Sequence, residues 1–322
     1  MLGAMTSGVV SPTWWQHEAA SWLPALDHLN EARRAEHEVN RCESLCKALN
    51  KTWNALFKYR KKYALLTKTE METAHSDSQA ITQLFMHGLA EADADAFCGS
   101  TVVRRLVEWT PRIMNQKVLG QLDYDPRNLG EDIRRKAEKD HERLVRAAQE
   151  HAANPGDRNA RDCLLKRLAQ VVYIVRSNIA HGEKTPYGPD GAKGERDRSV
   201  STVMSEVLAE FFDLLLDRPS RRLAVYGSLA PGQPNASVLG NIAGTWSSGM
   251  LKGAIEERVG LRYFRWDFAG NDVAVEVLTS GDLSDHFERI DNFEGRGYLR
   301  TLIPVTVGSA LQVANVYEAA RD

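Results

Sequence analysis

The chain has 322 residues and a mass of 36.0 kDa, about twice the length of one ordinary domain, so two cores are expected rather than one. At 43% hydrophobic and 26% charged, its composition excludes a disordered, collagen-like or membrane-spanning chain. The 41 basic and 43 acidic residues leave a formal charge of −2, which excludes a general attraction to nucleic acid or to an anionic membrane.

Residues Met1 to Pro12 carry no basic stretch followed by an apolar run, so no secretory signal is expected, and 1–30 reads as a poorly ordered or accessory segment. From 31 to 217 the apolar spacing is helical. Residues 39–63 set Val39, Leu45, Leu49, Trp53, Leu56 and Tyr63 at three- and four-residue steps, one buried stripe on a helix. Residues 76–97 and 99–117 continue the pattern, with Gly99 and Ser100 as a break and Pro111 as a kink or end. Over 131–152 acids and bases alternate so densely that the helix reads as solvated and held by ion pairs along its own length, since the acids cancel any pull on RNA. A loop at 153–160 precedes an apolar helix over 161–180, with Leu164, Leu168, Val171 and Val175 pointing inward. A Gly/Pro-rich loop from Gly182 to Gly194 then leads to a last helix over about 199–216. The expected architecture is a bundle of five or six helices, with Asp217 to Ser220 as linker.

Cys42, Cys46, Cys98 and Cys163 all lie in this part. Cys42 and Cys46 form a lone C-x3-C without two further ligands, so reduced thiols are expected rather than a metal site. No apolar run has membrane-spanning length, and a cytoplasmic protein is the expectation.

The end of the apolar helix reads Tyr173-Ile174-Val175-Arg176-Ser177-Asn178-Ile179-Ala180-His181-Gly182. On a continuous helix, side chains five apart lie about 140° apart, so Arg176 and His181 converge only if the helix ends near Ala180, where Gly182 can stop it. The string Y-x2-R-S-x-I-A-H-G, with Trp53 to Phe57 on an earlier helix and Leu214 to Leu216 on the last, resembles the HEPN superfamily (higher eukaryotes and prokaryotes nucleotide-binding) over roughly 40–217. Active members are metal-independent ribonucleases that pair two such motifs across a dimer, and others are non-catalytic. The resemblance implies that Arg176 stabilises phosphate charge, that His181 is acid or base, and that Asn178 orients either group. Ser177 departs from the pattern, since many active members carry Asn, Asp or His directly after the arginine. The alternative is that Arg176 and His181 cap the helix and brace the loop after it.

Beyond residue 220 the composition shifts, with 12 of the 23 glycines in the last 102 residues. The period falls to two, and 222–226, 272–278, 301–307 and 311–317 read as strands, with one short helix over 283–292. Tyr226-Gly227-Ser228-Leu229 follows the first strand, and glycine at a strand end lets N–H groups turn toward an anion or carbonyl. In chain order, YGSL, then Trp246-x2-Gly249-x-Leu251-x-Gly253, then Asp291-x2-Glu294-Gly295-x2-Tyr298-x-Arg300 resembles the γ-glutamylcyclotransferase-like (AIG2-like) superfamily, over about 223–318. That resemblance implies a small β-barrel with a cavity, a 226–229 loop binding substrate through backbone N–H groups, and Glu294 as the acid/base. Tyr298 lines the cavity rim or packs the core. Glu294 could instead be a helix-end carboxylate paired with Arg289 or Arg296.

The expected fold is therefore multidomain, α and α+β: a HEPN-like helical bundle over 31–217 and a small β-barrel-like α+β domain over 218–322. The leading expectation is release of 5-oxoproline from a small γ-glutamyl substrate, without metal or cofactor. A metal-independent ribonuclease with the barrel as sensor and RNA as partner is the alternative, and a non-catalytic interaction protein the third. A homodimer through the bundle, and no membrane partner, complete the expectation.

Overall fold

The computed structural model describes residues 13–17, 19–73, 76–110, 112–115, 130–180, 192–258 and 260–320, and the chain divides into two compact units, Met1–Leu215 and Leu216–Asp322. The first is helical and the second is a β-barrel with one α-helix, so the α and α+β architecture expected from the periodicities is the one observed.

The described helices of the first unit are α1 (Trp14–His17), α2 (Ala19–Arg34), α3 (Glu38–Lys62), α4 (Lys68–Thr73), α5 (Asp77–His87), α6 (Glu91–Cys98), α7 (Thr101–Glu108), α8 (Glu131–Ala153), α9 (Arg158–Ala180) and α10 (Ala192–Leu215). This exceeds the five or six expected. Gly88 and Gly99 end α5 and α6, and Ser100 caps α7 by accepting from the Val103 N–H, so a stretch expected as two long helices is three short ones. Pro111, expected as a kink or end, lies outside the described residues. Residues 14–17 and 19–30, set apart by the sequence pattern, are instead helical, and Trp14, Trp15 and Trp22 are buried.

Helix α3 packs against α2, α5 and α10, and the apolar face of α9 lies on α5 and α8. Phe211 of α10 stacks on Phe85 with ring centres 4.4 Å apart and meets Phe97 edge-on at 5.6 Å. His141 of α8 is fully buried: its Nδ1 accepts the Ile113 N–H at 2.9 Å and its Nε2–H donates to the Leu106 carbonyl at 3.0 Å, tying α7 and the segment after it to α8. That pairing requires a neutral ring, and burial lowers its pKa to about 4.

The second unit contains β1 (Arg222–Val225), β2 (Thr245–Arg258), β3 (Leu261–Trp266), β4 (Asn271–Thr279), α11 (Leu283–Glu294), β5 (Tyr298–Val307) and β6 (Ala310–Ala319). Two strands, β2 and β3, are absent from the sequence expectation. They matter, because β2 closes the sheet: the order β2-β4-β1-β6-β5 returns to β2 through Gly249↔Val307 to Leu251↔Val305, giving a five-stranded ring with β3 outside it. All the ring pairings are antiparallel except β1–β6.

The W-x2-G-x-L-x-G motif is this closure. Leu251 is fully buried in the barrel interior with Val275, Val277, Ile303 and Val305. A Cβ on Gly249 would stand 3.0 Å from the Thr306 carbonyl oxygen. Gly253 has φ +156°, and a Cβ there would stand 2.2 Å from the Arg265 carbonyl, so only glycine fits. Outside the ring, Leu283, Phe287 and Ile290 of α11 pack on Leu223, Val225 and Leu278. The helix runs to Glu294, two residues past its expected end, and Gly295 at φ 67° turns the chain out of it.

Candidate active site

Strand β1 has both faces buried, Ala224 toward the barrel interior and Leu223 and Val225 toward α11. The chain leaving it is therefore fixed in direction. Beyond Val225 it enters a turn closed by Ala230 N–H to the Gly227 carbonyl at 3.1 Å. Asn235 holds Ser228 twice, its backbone N–H on the Ser228 carbonyl and its Nδ2 on Oγ, each at 3.0 Å. The N–H groups of Gly227, Ser228 and Leu229 take no part in the backbone bonds that brace this loop, while the Leu229 side chain anchors it in the core.

This loop borders a cavity of about 240 Å³, lined also by Glu294, Tyr298, Tyr317 and Arg262. Every barrel residue singled out from the sequence as a site residue, Tyr226, Gly227, Ser228, Leu229, Glu294 and Tyr298, lines it. Glu294 stands at the last position of α11, and burial raises its pKa to about 7, with no counter-charge acting the other way. Of the two arginines that could have neutralised it, Arg289 is committed elsewhere, to the Val238 carbonyl at 2.6 Å and Asn241 Oδ1 at 3.1 Å. The carboxylate is near enough to the phenols of Tyr226, Tyr298 and Tyr317 to add to the burial that raises all three pKa values.

Those phenols have assigned partners. Tyr226 Oη donates to the Tyr317 carbonyl at 2.8 Å and accepts the Phe264 N–H at 3.3 Å. Tyr298 Oη donates to the Arg262 carbonyl at 3.1 Å, and its ring stacks on Tyr263. Tyr317 Oη donates to Asp291 Oδ1 at 2.6 Å. Asp291 in turn receives Arg300 through two bonds of 2.8 and 3.1 Å, and that guanidinium lies 4.0 Å over the Phe287 ring. The two acids of the D-x2-E motif thus divide: Asp291 is ion-paired and structural, while Glu294 faces the cavity.

Sequence reasoning misses Arg262 and Tyr317, and gives Asp291 no role. Arg262 sits on the unrecognised strand β3, and Tyr317 reaches the cavity only because β6 lies beside β1. Asp291 is within reach of such reasoning, since the string containing it also contains Arg300.

In the helical unit, Arg176 lies on α9 with Nη1 2.7 Å from Asp77 Oδ2 at the start of α5. Asn178 is buried and donates from Nδ2 to the Met114 carbonyl at 3.4 Å, so its amide serves the 112–115 segment and not Arg176. His181 lies outside the described residues, as does Gly182. Cys42 and Cys46 are buried one turn apart on α3; the hydrogen bond to Cys42, with burial, holds the Cys46 thiol well above its usual pKa. Among the described residues no group of three or more His, Cys, Asp or Glu is arranged to hold a metal ion, and no helix is long and apolar enough to cross a membrane.

No protein-family model and no curated protein matches the chain. Among solved structures, it is similar to an uncharacterized protein from Pyrococcus horikoshii at 26% identity, over 31% of this chain and 79% of that one, with a TM-score of 0.26. An AIG2-like protein from Mus musculus matches at 22% identity, over 31% and 77% of the two chains, with a TM-score of 0.26. An allophanate hydrolase from Kluyveromyces lactis matches at 14% identity, over 60% of this chain and 40% of its own, with a TM-score of 0.25.

Proposed function

We propose that the barrel unit is a γ-glutamylcyclotransferase-like enzyme that releases 5-oxoproline from a γ-glutamyl amine. The observation that carries this reading is Glu294, a half-buried carboxylate whose pKa burial raises to about 7, in a cavity that residues 227–229 also line. The motif resemblance supports it independently.

The reaction suits so sparse a site. The substrate's own α-amine attacks its γ-carbonyl, a C–N bond forms as a five-membered ring closes, and the original amide C–N bond breaks to release the amine. Nucleophile and electrophile belong to one molecule, so holding the chain folded removes most of the entropic cost. One proton must leave the attacking amine and reach the departing one. A carboxylate with a pKa near 7 can accept it and return it within one turnover. The carbonyl oxygen gains negative charge on the way, and the loop N–H groups, already fixed by Asn235 and Leu229, are suited to receive it. Water is not consumed, and no metal or cofactor enters any step.

The test is Glu294→Gln, with 5-oxoproline release measured against a panel of γ-glutamyl amides. A loss of at least about a hundredfold in kcat is expected; full activity in the variant sinks the proposal. For the unaltered protein kcat/KM should rise with pH through about 7, as Glu294 becomes the base. The ribonuclease reading of the helical unit has less support, since Arg176 is engaged by Asp77.

A further inference from the structure

Three phenols, those of Tyr226, Tyr298 and Tyr317, line the cavity with Glu294, and a hydroxyl that donates to a carboxylate steadies its ionised form. None of the three gives its proton to Glu294. Each gives it to a group that can only accept: Tyr226 to the Tyr317 carbonyl at 2.8 Å, Tyr298 to the Arg262 carbonyl at 3.1 Å, and Tyr317 to Asp291 Oδ1 at 2.6 Å. A phenol has one proton, so these acceptors fix the direction of all three bonds. Burial is then what acts on the Glu294 carboxylate.

Two of the acceptors are backbone carbonyls, but the third is a side chain. Arg300 binds both Asp291 oxygens, at 2.8 and 3.1 Å, and Nη1 of the same guanidinium donates to Asn315 Oδ1 at 3.3 Å. The Asn315 amide is in turn anchored on the carbonyls of Pro219 and Arg222, so the pair is set from the barrel wall. Asp291 and Glu294 stand three apart on α11, where Cβ atoms are about 5–6 Å apart, so a phenol oxygen bonded to one lies beside the other. The charge of Glu294 reaches that phenol and helps to raise its pKa. The other polar groups around the site are engaged elsewhere: Arg262 Nη1 donates to the Tyr226 carbonyl at 2.9 Å, Tyr263 stacks on Tyr298, and Glu318 accepts the Trp266 N–H at 2.8 Å.

We propose that Asp291 is a positioning residue for Glu294: by holding the Tyr317 proton, it keeps that phenol from donating to the Glu294 carboxylate, which stays an unengaged base. A carboxylate steadied by the phenol would take the proton of the attacking amine less readily. The place of Asp291 in catalysis rests on the cyclotransferase reading, whereas the proton arrangement belongs to the folded barrel with or without turnover.

The experiment removes Asp291 and Arg300 together, as Asp291→Ala with Arg300→Met, so that net charge is unchanged and no cation is left unpaired. Carboxyl-carbon NMR on the full chain labelled at glutamate, with Glu294→Gln to assign the signal, follows Glu294 directly. In the parent it should titrate near 7. In the pair-deleted chain the freed Tyr317 hydroxyl turns to the carboxylate, and the midpoint should fall by roughly one to two pH units, the worth of a hydrogen bond to a charged group. Adding Tyr317→Phe should return it close to the parent value. A midpoint that does not fall in the pair-deleted chain, or a fall that persists without the Tyr317 hydroxyl, overturns the proposal. Tyr317→Phe alone tests it with the ion pair intact: the midpoint should hardly move, and a rise of a full pH unit would mean that Tyr317 already donates to Glu294. The acid limb of kcat/KM for 5-oxoproline release should follow the NMR midpoint through the same variants. If the midpoints move as stated but the parent releases no 5-oxoproline, the proton arrangement stands and the cyclisation reading fails; an acid limb that stays in place while the midpoint moves overturns the part of Asp291 in catalysis.

Discussion

Glu294 combines a chemical asset with a stability cost. Its pKa near 7 lies well above that of an unfolded glutamate, so between about 4.5 and 7 the folded chain binds the proton that the unfolded chain has released. Stability contributed by the protonated form is complete below 4.5 and falls as pH rises through 7. The full shift corresponds to roughly 3 kcal/mol, and partial exposure of the side chain reduces this to about 1–2 kcal/mol. Glu294→Gln should therefore raise the melting temperature of the barrel at pH 8 by a few degrees and leave it nearly unchanged at pH 4.5. A variant that gains nothing at pH 8 would mean the carboxylate is not desolvated. Asp291, three residues earlier on the same helix, behaves oppositely in kind, since Arg300 and Tyr317 hold it as an ion-paired strut.

Among the elements, β2 has the most demanding packing. It meets β4 along nine residues, β5 along three and β3 along six, and it does so by using glycine wherever another backbone comes close. Gly253→Ala places a methyl 2.2 Å from a backbone oxygen at a φ that L residues avoid, and should cost about 3 kcal/mol or more. Loss of the barrel's cooperative unfolding transition would be the signature, and a variant that melts like the parent would contradict the closure of the ring through β2. The same chemistry hides β2 from the sequence. TWSSGMLKGAIEER has two glycines, two serines and few β-branched residues, so propensity argues against a strand, and only pairing on both sides makes it one. By contrast β4, β5 and β6, rich in Val, Ile and Thr, are legible to within three residues at each end. Helix α2 escapes the periodicity because Pro24 lies inside it. Of the site, the loop and Glu294 are legible because each lies within one continuous string, and Arg262 and Tyr317 are not, because only the strand order brings them to the cavity.

At the scale of the whole molecule, the two units should respond to pH in opposite senses. In the helical unit His141 and His87 are both held neutral by burial, with pKa values lowered to about 4, so below the unfolded value near 6.5 the unfolded chain takes up protons that the folded one refuses. Their contribution is complete above 6.5 and is lost as pH falls through 4. The barrel loses its Glu294 contribution in the other direction. Scanning calorimetry from pH 8 to 4.5 should therefore show the helical transition moving down relative to the barrel transition. His141→Gln, which keeps one donor and one acceptor for Leu106 and Ile113, should flatten that movement. Two transitions that shift together by the same amount would be inconsistent with this assignment.

The position of β3 outside the ring has a consequence for how such a molecule can diversify. Its ladder is with β2 alone, so lengthening the hairpin, shortening it or rewriting its tip breaks none of the five pairings that close the barrel. Glu294 lies on a helix packed against the ring, while Arg262, which lines the same cavity, lies on an appendage. That rim of the cavity can then drift by mutation, or be exchanged by grafting a hairpin, with the wall that carries Glu294 held constant underneath.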